Sequence, residues 1–414
     1  MDASFELAQK RYAALNVDAD AAMERLKSIP VSMHCWQGDD VIGFDHGGAL
    51  DGGIQVTGNY PGRARDFKEL TADIKEACAL IPGKKRLNLH ASYALPAPGE
   101  TVDRDALLPR HFAPWVQFAK ENGMGLDFNP TFFSHPKAAG LTLSNPDDEL
   151  RAFWVRHGVC CRRIAQYFAD ELHTPCLCNV WAPDGLKDAP ADRLSPRQLF
   201  TDSLNKIFAE PLPDVIDSVE SKLFGIGLEA YTVGSSEVCL TYAATHKNVY
   251  PLLDSGHFHP TEVISDKLSA LLCAFQTVPL HVSRPMRWDS DHVVTLSDEL
   301  REIALEIVRC DAIERVMIGL DFFDASINRI AAWVIGMRDM QKALLYALLS
   351  PNARMKTLQR EKRFTELLML QEEVKTLPFG AVWEEYCRRE GVPVGEQWFE
   401  RVMQYEESTL KGRV

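Results

Sequence analysis

The chain has 414 residues, 46% of them hydrophobic and 25% charged, with no low-complexity tract. This composition allows a sizeable core and excludes fibrous and disordered classes. A formal net charge of -13 argues against a general nucleic-acid binder, which needs clustered Lys and Arg to replace phosphate counterions, and favours a small neutral or cationic ligand.

The first ten residues carry Asp2 and Glu6 and no apolar h-region, and no uncharged apolar run of about 18 residues follows, so the expected location is cytoplasmic. Residues 5–29 read as helical. Thereafter short apolar runs bounded by turn residues recur, each followed by an amphipathic stretch of helical length. The predicted strands are 31–36, 86–90, 125–129, 177–181, 219–224, 250–254, 279–283 and 315–321. Helical patterns between them include 149–171, 198–210, 236–246, 262–275, 298–309 and 326–349.

Strict alternation implies parallel strands joined by crossovers, and eight units are the number that closes a barrel. The expected fold is therefore α/β, a (β/α)8 TIM barrel with an N-terminal helix over 1–350. A C-terminal helical extension follows over 351–414, with charged helices at 354–376, 381–389 and 396–411 that pack on the barrel or on a neighbouring subunit. An open doubly wound sheet is the alternative. It lacks support, because no GxGxxG follows a strand and no GxxxxGK[ST] occurs. The ten cysteines are scattered without the two-residue spacer of thiolate zinc sites, and read as buried thiols.

Active sites of such barrels are built at the carboxyl ends of the strands. The fifth predicted strand opens with Glu220 and Lys222, two residues apart and so on one face. The sixth ends in Asp254, followed by His257 and His259; the seventh carries His281; the eighth ends at Asp321. Beyond the seventh, Asp289 and Asp291 lie two residues apart, which places both on one side of an extended segment. Glu220, Asp254, His257, His281, Asp289, Asp291 and Asp321 supply five carboxylates and two imidazoles, enough for two metal ions sharing one ligand. Oxygen and imidazole donors without thiolate favour Mn²⁺, Co²⁺, Zn²⁺ or Mg²⁺.

The competing reading is that these acids cap helices or pair with Arg284, Arg287 and Arg329. His90 ends the second strand, and Trp181, with Pro183, Asp184 and Lys187, ends the fourth; all are candidates for the pocket wall, and Trp181 is equally a core residue. Lys222 is either a salt-bridge partner of the cluster or a cation aimed at a substrate oxygen. A glycine-rich loop over 43–62 follows the first strand, and a long loop there shapes specificity or closes over the substrate.

At these residues the sequence resembles L-rhamnose isomerases over nearly its whole length. The blocks are VSMHCWQGDDV from Val31, GGIQVTGNYPG from Gly52, RLNLHA from Arg86, GLDFNP from Gly125, VESKLFGIG from Val219, DSGHFHPTEVISDK from Asp254, LHVSRPMRWDSDHVV from Leu280 and IGLDFFDASINRIAAWVIG from Ile318. The resemblance implies a (β/α)8 barrel, a homotetramer, and two divalent ions at the barrel mouth, with Mn²⁺ as activator and Zn²⁺ or Co²⁺ as candidates for the structural site. His257, Asp289 and Asp291 match ligands of the catalytic ion. Glu220, Asp254, His281 and Asp321 match those of a second, structural ion, with Asp254 the candidate bridge. His90, Trp181 and Lys222 match the substrate-contacting set. The agreement is weaker over 160–178 and beyond Pro351.

The reaction so implied is the interconversion of L-rhamnose and L-rhamnulose, by a metal-assisted hydride shift or through an enediol. Few carboxylates remain free of the ligand set, which favours the hydride shift, with Asp321 orienting a water that moves the proton and Lys222 stabilising charge on O1. Two other classes stay open: a two-metal hydrolase, including one acting on abasic DNA, and a catalytically silent sugar-binding protein.

Overall fold

In the computed structural model, residues 2–45, 54 and 56–413 are described. The strands are β1 (Val31–His34), β2 (Lys85–His90), β3 (Gly125–Asn129), β4 (Cys176–Val180), β5 (Gly185–Leu186), β6 (Val215–Glu220), β7 (Tyr231–Thr232), β8 (Val249–Asp254), β9 (Val278–Val282) and β10 (Val316–Leu320). Eight of them close a parallel barrel in the order β1-β10-β9-β8-β6-β4-β3-β2, and the seam pairs Val31 with Ile318 and Met33 with Leu320. Closure excludes the open sheet. β5 and β7 form a small antiparallel pair that the sequence reading did not foresee.

The helices are α1 (Ala3–Ala13), α2 (Ala19–Ser28), α3 (Phe67–Cys78), α4 (Ala113–Asn122), α5 (Asp148–Leu172), α6 (Leu194–Ile207), α7 (Ser236–Thr245), α8 (Ile264–Ala274), α9 (Asp298–Arg309), α10 (Arg329–Leu348), α11 (Asn352–Arg360), α12 (Phe364–Val374), α13 (Phe379–Arg389) and α14 (Gln397–Ser408). The sequence explains them locally. In α9, the Ser297 hydroxyl accepts the Leu300 N–H at 3.2 Å, and Leu300, Ile303, Ala304 and Ile307 fall on one buried face at helical spacing. In α5, Asp147 caps the first turn, and buried Arg162 donates to both oxygens of Asp217 at 2.8 and 2.7 Å and to the Ile207 carbonyl, tying the helix to β6 and α6.

Three expectations are corrected. The single N-terminal helix is two, because Asn16 takes a left-handed φ of 59° and Asp18 caps a fresh start at α2. The stretch 354–376 likewise divides into α11 and α12 at Lys362, with φ 58°. The fifth barrel strand ends at Glu220 instead of opening there, since β6 runs from Val215 through the buried polar residues Asp217 and Ser218. These polar positions hide the strand from an apolar-run criterion.

α10 is buried on nearly every side and packs against α9, α2, α3 and α13. Trp383, Tyr386 and Leu410 of the C-terminal region join the same apolar core as the barrel helices. Arg413 donates to Asp73 on α3 at 2.8 Å, and Glu406 on α14 accepts from Tyr60 and Asn328, each at 2.7 Å. No disulfide is formed; most thiols are buried or half-buried, but Cys273 is exposed. Among the described residues no helix is long and apolar enough to cross a membrane.

Candidate active site

The carboxyl ends of the barrel strands bring the predicted acids and imidazoles together. Glu220 and Asp254 are the last residues of β6 and β8, His281 lies one residue before the end of β9, and Asp321 directly follows β10. His257 comes from the turn after β8 and Asp289 from the loop after β9. Glycines make this convergence possible. At Gly256, whose N–H donates to Asp254 Oδ1 at 2.6 Å, a Cβ would lie 2.7 Å from Asp289 Oδ1; at Gly319 it would lie 3.1 Å from the His281 ring. Ser255 crosses between the strand ends, accepting the Ser283 N–H at 2.9 Å.

Three groups of donor atoms result, each within 4.8 Å: His34, His281 and Asp321 in one, and two richer in carboxylate, Glu220, Asp254, His281 and Asp321, and Asp254, His257 and Asp289. Asp254 belongs to both of these carboxylate-rich groups. His257 Nε2 is 3.1 Å from Asp289 Oδ2, and its Nδ1 is 3.1 Å from Glu220 Oε1 but off the angle of a hydrogen bond. His281 Nδ1 lies 3.4 Å from Glu220 Oε2 and 3.3 Å from Asp321 Oδ2. Asp254 Oδ2, Asp289 Oδ1, Asp321 Oδ1 and both His281 nitrogens are buried without a hydrogen-bond partner. Buried carboxylate oxygens without donors are costly, and oxygen and imidazole donors converging this closely suit a hard or borderline divalent cation. The residues fit such an ion.

The electrostatics agree. Burial, reinforced by the carboxylates of Glu220, Asp321 and Asp289, pushes the Asp254 carboxyl up to about 8 against the opposing pull of His257. Burial also disfavours ionised Glu220, but His281 and His257 outweigh it and hold that carboxyl well below its usual range. Lys222 adds an ammonium to the group. Burial favours its neutral amine, yet Asp289 and Asp291 raise it above the ordinary lysine value. Lys222 donates to Asp289 and stands 5.4 Å over the Trp181 ring.

The same pocket is lined by the rings of Trp36, His90, Trp181 and Phe323. Trp36 and His90 stack at 4.2 Å, and Trp36 and Phe323 meet edge-on at 5.5 Å. Burial, then the neighbouring His281, lowers His90 to about 3, so its ring is neutral. Charged groups and aromatic rings in one pocket suit a ligand with both hydroxyls and C–H groups.

Not every expected residue joins the cluster. Asp291 lines the pocket but belongs to none of these groups. The segment is bent instead of extended, and Asp291 takes a left-handed φ of 45°, so the two-residue spacing does not align its carboxylate with that of Asp289. Lys222 lies beyond the end of β6, its N–H bonded to the Gly234 carbonyl at 2.9 Å, and reaches the pocket from a loop instead of sharing a strand face. His259 is exposed and turns to Thr261 at 2.8 Å. Asp184 is taken up by the N–H and hydroxyl groups of Thr142 and Ser144, Pro183 lines a separate cavity, and Lys187 is exposed. Of the nearby arginines, Arg329 pairs with Asp40, and Arg284 donates to the Val293 carbonyl. The loop over 43–62 lies partly outside the described residues; buried Ile54 within it lines the pocket.

Several site residues escaped the sequence reading. Asn179 donates to Glu220 Oε2 and accepts from Ser218 at 2.9 Å, while His34, Asn88 and Asn129 line the barrel interior on the other side. A polar residue at or near the end of every barrel strand, β1 to β4 included, was the available signal.

A closed parallel barrel carrying two overlapping acid–imidazole groups at the carboxyl ends of its strands defines a TIM-barrel protein with a candidate divalent-metal site. The family described as L-rhamnose isomerase (RhaA) matches residues 1–413. The chain is 56% identical to the L-rhamnose isomerase of Mannheimia succiniciproducens, covering 99% of each protein, and 56% identical to that of Pectobacterium atrosepticum, covering 100% and 99%. The Escherichia coli O157:H7 enzyme is 54% identical over the same extent. A solved D-psicose 3-epimerase from Clostridium cellulolyticum has a TM-score of 0.47 at 14% identity, over 77% of this chain and 97% of that one. The chain belongs to the L-rhamnose isomerase family and is a sugar isomerase.

Proposed function

We propose that the enzyme interconverts L-rhamnose and L-rhamnulose at the barrel mouth by a metal-assisted hydride shift, with two divalent ions per subunit and Mn²⁺ as the activator. Asp254, common to both donor groups, carries the two-ion reading. His257 and Asp289 would hold the catalytic ion, with Asp291, which lines the pocket outside the donor groups, as its further expected ligand. Glu220, Asp254, His281 and Asp321 would hold the structural one, where Zn²⁺ or Co²⁺ also suits the donors, and Asp254 is common to both sets. With His257 and His281 neutral as metal ligands, the five buried or half-buried carboxylates and the Lys222 ammonium would be brought to neutrality by two divalent cations. The homotetrameric state follows the family resemblance; the 351–414 extension packs in that oligomer, and the location is cytoplasmic.

When bound, the ions supply Lewis-acid polarisation of the C1 carbonyl and the C2 hydroxyl. The chain's own groups do the rest. Lys222 directs its ammonium at O1, where negative charge develops as hydrogen moves from C2 to C1. The Asp321 carboxylate orients a water that carries the O2 proton to O1. Trp36, His90, Trp181 and Phe323 exclude bulk water and present ring faces to sugar C–H groups. His90, neutral and without a protein partner at either nitrogen, offers one donor and one acceptor to substrate hydroxyls.

The test is turnover. Metal-stripped protein reloaded with Mn²⁺ is assayed for ketose formation from L-rhamnose, L-lyxose and L-mannose, and for cleavage of an abasic duplex. Ketose from L-rhamnose is expected; its absence together with DNA cleavage overturns the proposal.

A further inference from the structure

We infer that His34 is a positioning residue: a chain of buried asparagines fixes its imidazole as the neutral Nδ1–H tautomer, which presents that hydrogen to Asp321.

The chain starts from an acceptor of unambiguous identity. Asn129 lies 3.1 Å from the Leu89 backbone carbonyl, which only accepts, so the atom facing it is the Nδ2 donor. The same Nδ2 gives its second hydrogen to Asn88 Oδ1. Asn88 must then turn its own Nδ2 outward, and that atom is 2.9 Å from His34 Nε2. A donor facing Nε2 requires a lone pair there, which excludes both the Nε2–H tautomer and the imidazolium, and the hydrogen sits on Nδ1.

His34 Nδ1 lies 3.7 Å from Asp321 Oδ1, and neither atom has another hydrogen-bond partner. A small side-chain rotation would bring the Nδ1–H within hydrogen-bond reach of Oδ1. Asp321 thus has an imidazole on each side, His34 at 3.7 Å from Oδ1 and His281 at 3.3 Å from Oδ2. The tautomer also decides a competing possibility. Donor atoms of His34, His281 and Asp321 lie within 4.8 Å of one another, as a cation site would require, but a protonated nitrogen is no ligand. His34 therefore acts through Asp321, fixing its rotamer; the inference rests on the role given to Asp321 in the proposed function.

The tautomer is read by ¹⁵N NMR on histidine-labelled full-length protein loaded with Mg²⁺, with His34 assigned from its missing signals in His34→Asn. A pyrrole-type Nδ1 and a pyridine-type Nε2 are expected. A pyridine-type Nδ1 overturns the inference, and this spectrum requires no variant to be active. In Asn88→Asp, whose carboxylate only accepts, the pattern inverts. In kinetics with L-rhamnose, His34→Leu lowers kcat by about 10–100-fold with KM little changed, whereas His34→Asn, which keeps an N–H donor near Nδ1, retains most of the activity. Equal losses in the two variants overturn the positioning role. If the wild-type protein fails to turn over L-rhamnose, the proposed function fails, while the spectrum still decides the tautomer.

Discussion

Lys222 and Asp289, which are 67 residues apart in sequence, meet as a buried ion pair at the barrel mouth, with the Lys222 ammonium also over the Trp181 ring. A buried pair of this kind is costly to break from one side, because the remaining charge stays desolvated. In the proposed function the Lys222 ammonium is the cation directed at the developing oxyanion.

Lys222→Met removes that cation and leaves nearly the same apolar stem. The value of kcat/KM for L-rhamnose is expected to fall by about 10²–10³-fold, the usual loss for a preorganised charge-stabilising donor. Far-UV circular dichroism should be unchanged. A fall of less than about tenfold would show that Lys222 is not used in this way.

Metal content separates the two donor groups. Asp254 belongs to both and His257 to one, so Asp254→Ala should lose both equivalents of Mn²⁺ by elemental analysis after dialysis, and His257→Ala only one. Chelation of the wild-type protein should lower Tm, and restoring Mn²⁺ at a hundredfold excess over Kd should return about 2.7 kcal/mol of stability for each ion bound.

Gly256→Ala probes the packing of the site without replacing a candidate ligand. The added Cβ would lie 2.7 Å from Asp289 Oδ1 and 2.9 Å from Ser283 Oγ, with no left-handed φ to complicate the result. Displacement of the Asp289 carboxylate should weaken Mn²⁺ binding by about 10–100-fold in a titration, the range typical of supporting-residue defects.

Isomerisation in D₂O tests the route. A hydride shift carries the C2 hydrogen to C1 without exchange, so L-rhamnulose formed in D₂O should contain no appreciable deuterium at C1 by NMR. Incorporation approaching one atom per turnover would replace the shift with an enediol.

His157 predicts an acid-side loss of stability. It accepts the Thr131 N–H at Nε2 and donates from Nδ1 to the Arg104 carbonyl, both at 2.9 Å, so the neutral ring is fully satisfied and an imidazolium would oppose the Thr131 donor. Burial is the main reason that its pKa falls to about 3. The unfolded chain, with a pKa of about 6.5, then binds one more proton than the native state between these values. Stability is therefore full above about pH 6.5 and falls by about 1.4 kcal/mol per pH unit below it. Urea unfolding at pH 7 and pH 5 should show this slope reduced by one proton in His157→Gln.

How far the sequence reaches is clear from individual residues. Alternation of apolar runs with amphipathic stretches defined eight strand–helix units, and the limits of β3 and α9 coincide with the predicted ones. β6 was displaced because Asp217 and Ser218 are polar yet buried, which only the Arg162 and Asn179 partners across the fold account for.

The sequence by itself determined the barrel class and the chemical inventory of its mouth, because periodicity and strand ends are local properties and the family blocks lie at those ends. Tertiary structure alone decided which members converge. Asp254 lies in both donor groups, Asp291 in neither, His259 faces solvent, and Asp184 is consumed by Thr142 and Ser144. It also joined Asn129 through Asn88 to His34. Spacing fixes the face of a strand on which a side chain lies. The turn that follows, and the neighbour met across the barrel, depend on loop dihedrals and on contacts between residues tens of positions apart.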